Sequence, residues 1–330
     1  MADRLRGRCQ DLCGKWTAKA LKGLMLASCI GGLSAAHAAA ADIPINGSRV
    51  FPESISADLD GNIYIGSVSG TVYRVESEGK TAEPWIVPGP ENGLTSLFGV
   101  LADENRGLLW VCNNPPFGGP PPPGAKSGLK SFDLQSGELT GTYDFPGEGP
   151  FACNDITIRN LADLYVTDTS GGRIFHLAPD AEKLELFAQD PELVGVDGIA
   201  VSGDGTIYIN NVRMNLVQRV NLKTDGSYAG LTNLALSEPV NGPDALRLVG
   251  GNLFLQAEGP GGRVTYVEVE GDKARIIPIR TGLDSSPGVT HVDGVVYATE
   301  GKIGYLFDPA LKDKNPDPFI IRAFPLPELP

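Results

Sequence analysis

Apolar and polar residues alternate along this chain in short runs, and the runs return in one register six times, at intervals of 43 to 56 residues. Each copy opens on an alternating stretch, as at residues 55–58 and 199–202, and continues after a turn into a second apolar run, as at 62–65 and 206–209. Alternation with a period of two, bounded by Gly and Asp, predicts half-buried strands. The turns Asp60-Gly61, Arg106-Gly107, Asp204-Gly205, Gly250-Gly251 and Asp293-Gly294 predict hairpins, and the third copy carries Leu161-Ala162-Asp163 instead. A third strand follows another glycine at 70–75, 172–177 and 262–267, and weaker fourth strands are readable at 85–87, 184–187 and 276–279. No helical period intervenes. Six units of four antiparallel strands predict an all-β chain folded as a six-bladed β-propeller.

Residues 1–38 stand apart from the repeats. Six basic residues up to Lys22 precede an apolar run from Gly23 to Ala36 and the small-residue site Ala36-His37-Ala38, the order of a secretory signal peptide. A membrane span needs about 20 apolar residues, more than this run supplies. Leu26-Ala27-Ser28-Cys29 also fits a lipoprotein signal, with few apolar residues before the cysteine. The expected organisation is therefore a leader over 1–38 and one propeller over 39–330, delivered to the periplasm or secreted. Without the leader the formal charge moves from −13 to about −17, and so acidic a chain lacks the basic footprint that nucleic acid or an anionic membrane requires. Two cysteines remain, Cys112 and Cys153, in neighbouring repeats; in an oxidising compartment they either pair or stay as two separate buried thiols.

Two columns of the repeat carry the functional argument. Tyr64, Trp110, Tyr165, Tyr208, Phe254 and Tyr297 occupy one and read as core. The other, ten to twelve residues upstream, holds Glu53, Phe98, Asn154, Asp197, Asp244 and Pro287. In a propeller the first strand of every blade lines the central channel, so this second column forms a ring at one mouth. Asn113, Asn114, Asp168, Asn210, Asn211 and Glu300, at the ends of the second strands, are expected on the same face. Three carboxylates gathered there raise one another's pKa unless a cation compensates them. Glu53, Asn154, Asp197 and Asp244 are all oxygen donors, and with water they suit Ca²⁺ or another tolerant divalent ion. Against this stands the ordinary use of Asp and Asn to cap strand ends and turns.

The residues also carry a resemblance. Glu53 before the first strand, Asn154-Asp155 opening the third blade, Asp197-Gly198 the fourth and Pro243-Asp244 the fifth resemble the senescence-marker-protein/gluconolactonase family of calcium-dependent propeller lactonases, over nearly all of the chain after the leader. The resemblance implies one divalent cation at the tunnel mouth, held from different blades by a glutamate, an asparagine and an aspartate. Glu53 and Asp244 match in type. Asp197 stands where sugar-lactone members usually have asparagine, Asn154 corresponds to an asparagine near the metal or its water, and Asp155 to a neighbour that helps hold substrate. Those members carry an arginine two residues before that asparagine, whereas this chain has Ala152, which points away from a sugar lactone.

The expected activity is hydrolysis of a small-molecule lactone or ester, with Asp244 as first choice of general base and Asp155 as second. Phe98, Pro287 and the proline-rich segment at 114–128 are expected to wall the site. No Gly-x-Ser-x-Gly elbow supports serine chemistry, and no glycine-rich stretch has the strand-to-helix setting of a phosphate loop. His176 reads as structural, and His291 either packs in its strand or faces the tunnel. A non-catalytic propeller binding a small molecule, glycan or protein, and a lyase on the same scaffold, stay open as alternatives.

Overall fold

A computed structural model describes residues 40–116 and 124–329. The expected leader and the middle of the proline-rich segment lie outside the described residues.

Six sheets follow one another around a ring. The blades start with the inner strands Pro52–Ala57, Ser96–Asp103, Cys153–Arg159, Val196–Val201, Pro243–Gly250 and Val289–Val292, here blades I to VI. In blades I to V each inner strand pairs antiparallel with the next strand in sequence, and so on outward to a fourth. The fourth strands run over Glu83–Ile86, Glu185–Gln189 and Lys273–Thr281, within a few residues of the weak apolar runs. Blade V carries an extra short strand, Ala235–Leu236, parallel to its outer one.

Blade VI is built from both ends of the propeller. Its inner strands Val289–Val292 and Val295–Thr299 and its third, Phe319–Pro325, come late in the chain, and its outer strand is Ile43–Ile45. Ile43 faces Ile321 and Ile45 faces Phe319 in antiparallel register, so the first described strand closes the ring.

The turns follow the chemistry read from the sequence. Gly61, Gly107, Gly205, Gly251 and Gly294 all take positive φ, which a glycine adopts without a Cβ clash. In the third copy Leu161 does so instead, with φ 67°, and is 71% exposed.

The core lies between blades. Tyr64, Trp110, Tyr165, Tyr208 and Phe254 are buried, Tyr297 partly so, and each packs against an adjacent sheet. Tyr165, Ile174 and Ala188 of blade III, for example, meet Ile199, Ile207 and Val220 of blade IV. Tyr208 and Phe254 stand 5.3 Å apart, centroid to centroid, across the IV–V boundary. Cys112 and Cys153 form a disulfide that joins blade II to blade III.

Candidate functional site at the tunnel mouth

The inner strands are bulged where the polar column falls. The register against the second strand shifts between Pro52 and Ser54, Leu97 and Val100, Cys153 and Ile156, Val196 and Ile199, and Pro243 and Leu246. Glu53, Phe98, Asn154, Asp197 and Asp244 each lie within such an interval. A bulge leaves a residue unpaired and re-aims its side chain. Buried residues on either side, such as Val196 and Ile199 or Cys153 and Ile156, hold each bulge in place. The spacing of the anchors, with one residue more than the partner strand between them, is what the sequence supplies locally.

Adjacent bulges touch through backbone. A Cβ on Gly99 would meet the carbonyl oxygen of Asn154 at 2.2 Å, and one on Gly198 that of Asp244 at the same distance, so glycine lets neighbouring blades approach. Second-strand side chains brace the contact. Thr167 Oγ1 accepts from the Asp155 amide at 2.9 Å and donates to the Asp197 carbonyl at 2.7 Å. Asn210 Oδ1 accepts from Gly198 N at 2.8 Å while its Nδ2 donates to the Asp244 carbonyl at 2.6 Å.

Glu53, Asn154, Asp155, Asp197, Asp244 and Pro287 line one cavity of about 10 Å³, the size of a single ion or water. Phe98 is turned toward the core between blades II and III, and its neighbour Gly99 lines the cavity in its place. The second-strand residues do other work. Asn114 exchanges hydrogen bonds with the backbone of Cys153, Asp168 pairs with Arg173 at 2.9 Å, Glu300 pairs with Arg322 at 2.8 Å, and Asn113 and Asn211 cap loop amides. Their side chains are spent within their own blade or on the next, which is the strand-capping role.

Asn154 Nδ2 donates to Asp197 Oδ2 and to Thr169 Oγ1, both at 2.9 Å. Asp197 Oδ1 is buried and receives no N–H or hydroxyl hydrogen. Burial raises the Asp197 carboxyl to about 7, against hydrogen bonds from Asp244 and Asn154 that pull it down. Burial also holds Asp244 well above the usual carboxylate range, with the charges of Asp197 and Glu53 and the hydrogen bond to Asp197 pushing the same way. Glu53 is raised by burial, then by Asp197 and Asp155. Burial and mutual repulsion thus push all three carboxyls the same way, toward the protonated form.

These residues fit a hard cation by donor chemistry. All four are oxygen donors, the cavity has the size of one ion, and Asp197 Oδ1 has no protein N–H to satisfy it. Among the described residues no three His, Cys, Asp or Glu side chains already stand in a ligating arrangement.

Sequence reasoning missed Arg247. From blade V it crosses the tunnel to Asp155 of blade III, Nη1 donating to Oδ2 at 2.7 Å and Nη2 to Oδ1 at 2.8 Å. Nothing in the linear pattern marks it, since its partner lies 92 residues away. Beyond this pair, toward the other mouth, a cavity of about 450 Å³ is lined by Ile156, Ile199, Leu246 and Leu248 among others. His291 hydrogen-bonds through Nε2 with the carbonyl of Leu248 at 3.0 Å and does not line the acidic cavity. His176 pairs with Asp163 at 2.9 Å and stacks on Tyr165 in the outer part of blade III.

A sequence model described as strictosidine synthase-like, N-terminal, matches residues 38–75, the part of the chain that carries Glu53 and most of blade I. No curated protein matches. Among solved structures, the luciferin-regenerating enzyme is 14% identical with a TM-score of 0.62, covering 85% of this chain and 93% of its own. A candidate gluconolactonase is 15% identical with a TM-score of 0.58, covering 88% and 95%. Virginiamycin B lyase from Staphylococcus aureus, crystallised as an inactive variant with quinupristin, is 14% identical with a TM-score of 0.56, covering 86% and 98%. At such identities the likeness is one of fold, the six-bladed propeller.

Proposed function

We propose that the protein is an exported, divalent-cation-dependent hydrolase of a lactone or related ester, with Ca²⁺ as the ion. One observation carries this reading: Glu53, Asn154, Asp197 and Asp244 arrive from four different blades at one ion-sized cavity. A propeller that only bound a partner would have no need to gather buried carboxylates against their mutual repulsion.

Glu53, Asn154, Asp197 and Asp244 would hold the cation. When bound, the cation supplies positive charge that polarises a substrate carbonyl and stabilises the negative charge developing on its oxygen. Asp244 is the base, a carboxylate oxygen taking a proton from the attacking water. Asp155 is tied at both oxygens by Arg247 and at Oδ2 also by the amide of Ile199 at 3.1 Å, so its part is to position rather than to accept a proton. Asn154, braced by Asp197 and Thr169, orients its amide in the same bulge. Pro287 gives the cavity an apolar edge, in keeping with a substrate less polar than a sugar lactone. The leader over 1–38 and the Cys112–Cys153 disulfide support export to an oxidising compartment.

Calorimetric titration of calcium into the chelator-treated mature chain tests the reading, with Asp244→Ala beside it. Binding that the substitution abolishes is expected, followed by turnover in a screen of lactones and esters. Folded protein that takes up no calcium would overturn the metallohydrolase and leave a ligand-binding propeller as the better account.

A further inference from the structure

The Asp155–Arg247 pair is a partition. Asp155 lines the small acidic cavity and Arg247 the large apolar one, and their side chains are only 4% and 12% exposed. Arg247 also donates from Nη1 to the carbonyl of Leu246 at 2.9 Å, while its Nε is buried without a partner. The position therefore uses the two terminal nitrogens, the pair that matches both oxygens of a carboxylate. Of the four carboxylates lining the small cavity, Asp155 alone is ion-paired among the described residues, and the charge of Arg247 reaches Glu53, Asp197 and Asp244 only at longer range.

We propose that Arg247 is a positioning residue that sets which charge of cation the tunnel mouth accepts, by holding Asp155 in a two-point fork and so keeping a fourth carboxylate out of the donor set. Asp155 follows Asn154 in the same bulge. Freed from the fork and held only by the Ile199 amide on Oδ2 at 3.1 Å, it would stand beside the other donors with Oδ1 open. The inner-strand set would then pass from three carboxylates with a guanidinium below them to four with none. Coulomb attraction grows with the charge on both partners, so the change favours a trivalent ion over a divalent one. Lysine cannot replace the fork, because an ammonium reaches two carboxylate oxygens only as a point charge.

The inference rests on the cation reading above, and its test separates the two. Chelator-treated protein is titrated with Ca²⁺ by calorimetry and with Tb³⁺ by its luminescence, and the ratio of the two dissociation constants is compared across variants. Arg247→Met is expected to shift that ratio toward terbium by about tenfold or more. Combining it with Asp155→Asn is expected to return the ratio to the wild-type value, and Arg247→Lys to lie between. A purely structural role would lower the melting temperature of these variants and leave the ratio alone. An unmoved ratio in Arg247→Met, or a shifted ratio that survives in the double variant, overturns the inference while the cation site stands. Wild type that binds neither ion removes the cation reading and this inference with it. Should Arg247→Met fail to fold, Arg247→Lys is read on the same ratio, and a wild-type value there overturns the proposal.

Discussion

Asn154 of blade III donates through Nδ2 to Asp197 Oδ2 of blade IV at 2.9 Å, across 43 residues of sequence. The contact ties two column positions to each other before any ligand is considered. It also orients both groups: the amide spends its N–H on the carboxylate, and the carboxylate keeps Oδ1 without an N–H or hydroxyl donor.

Asp244→Asn should divide stability from function. The substitution removes a buried carboxyl that Asp197 and Glu53 crowd. Chelator-treated protein should gain on the order of 1 kcal/mol, about 2 °C in melting temperature at this size. Calcium should no longer raise the melting temperature, and turnover of any ester substrate should fall by roughly 10² or more. Thermal unfolding with and without calcium, beside an activity assay, checks both halves.

The ion-free protein should lose stability as pH rises. The Asp197 carboxyl lies near 7 in the folded state and near 3.8 when unfolded, so between those values the folded chain binds more protons. Its contribution is therefore greatest in acid and is lost on the way to pH 7, and the raised Asp244 and Glu53 act in the same direction. Urea unfolding in chelator at pH 5 and pH 8 should show the higher midpoint at pH 5. Saturating calcium should reverse the order, since an ion that binds only the folded state stabilises it and competes with those protons.

Reduction should weaken the third blade and the site together. The Cys112–Cys153 disulfide closes a segment with a sequence separation of 41, and Cys153 directly precedes Asn154. Loop-closure entropy for that length gives about 4 kcal/mol. Cys112→Ser is expected to lower stability by up to that amount in denaturant titrations, and to weaken calcium binding measured on the folded fraction.

Leu161 occupies the left-handed region with φ 67° and is 71% exposed, so it pays strain without burying its side chain. Leu161→Gly should stabilise the protein by roughly 1 kcal/mol, because glycine takes that conformation freely. A melting temperature below wild type would show that the leucine makes a contact worth more than its strain.

The architecture was legible because a propeller repeats itself. Six returns of one strand-turn-strand register, with an aromatic such as Tyr64 or Phe254 at one place in each, fix the blades through local alternation and turn chemistry alone. The same register pointed to Glu53, Asn154, Asp197 and Asp244, and the bulges that carry them lie where the column falls. Less local features were not legible. The pairing of Ile43–Ile45 with Phe319–Pro325 joins the two ends of the ring, and no periodicity within either segment encodes it. Asn210 and Asp168 read as mouth residues by position, yet bracing and ion pairing with neighbouring strands claim their side chains.

What the sequence by itself determined, then, is the number of blades, the strand order within most of them and the column that reaches the mouth, since these follow from periods of two and about 49 residues. Only the tertiary structure decided which polar groups share a cavity, that Cys112 meets Cys153, and that Arg247 closes over Asp155. Those are contacts between blades, set by the angle at which sheets close into a ring. Electrostatic partners brought together in that way leave no spacing in the chain to be read.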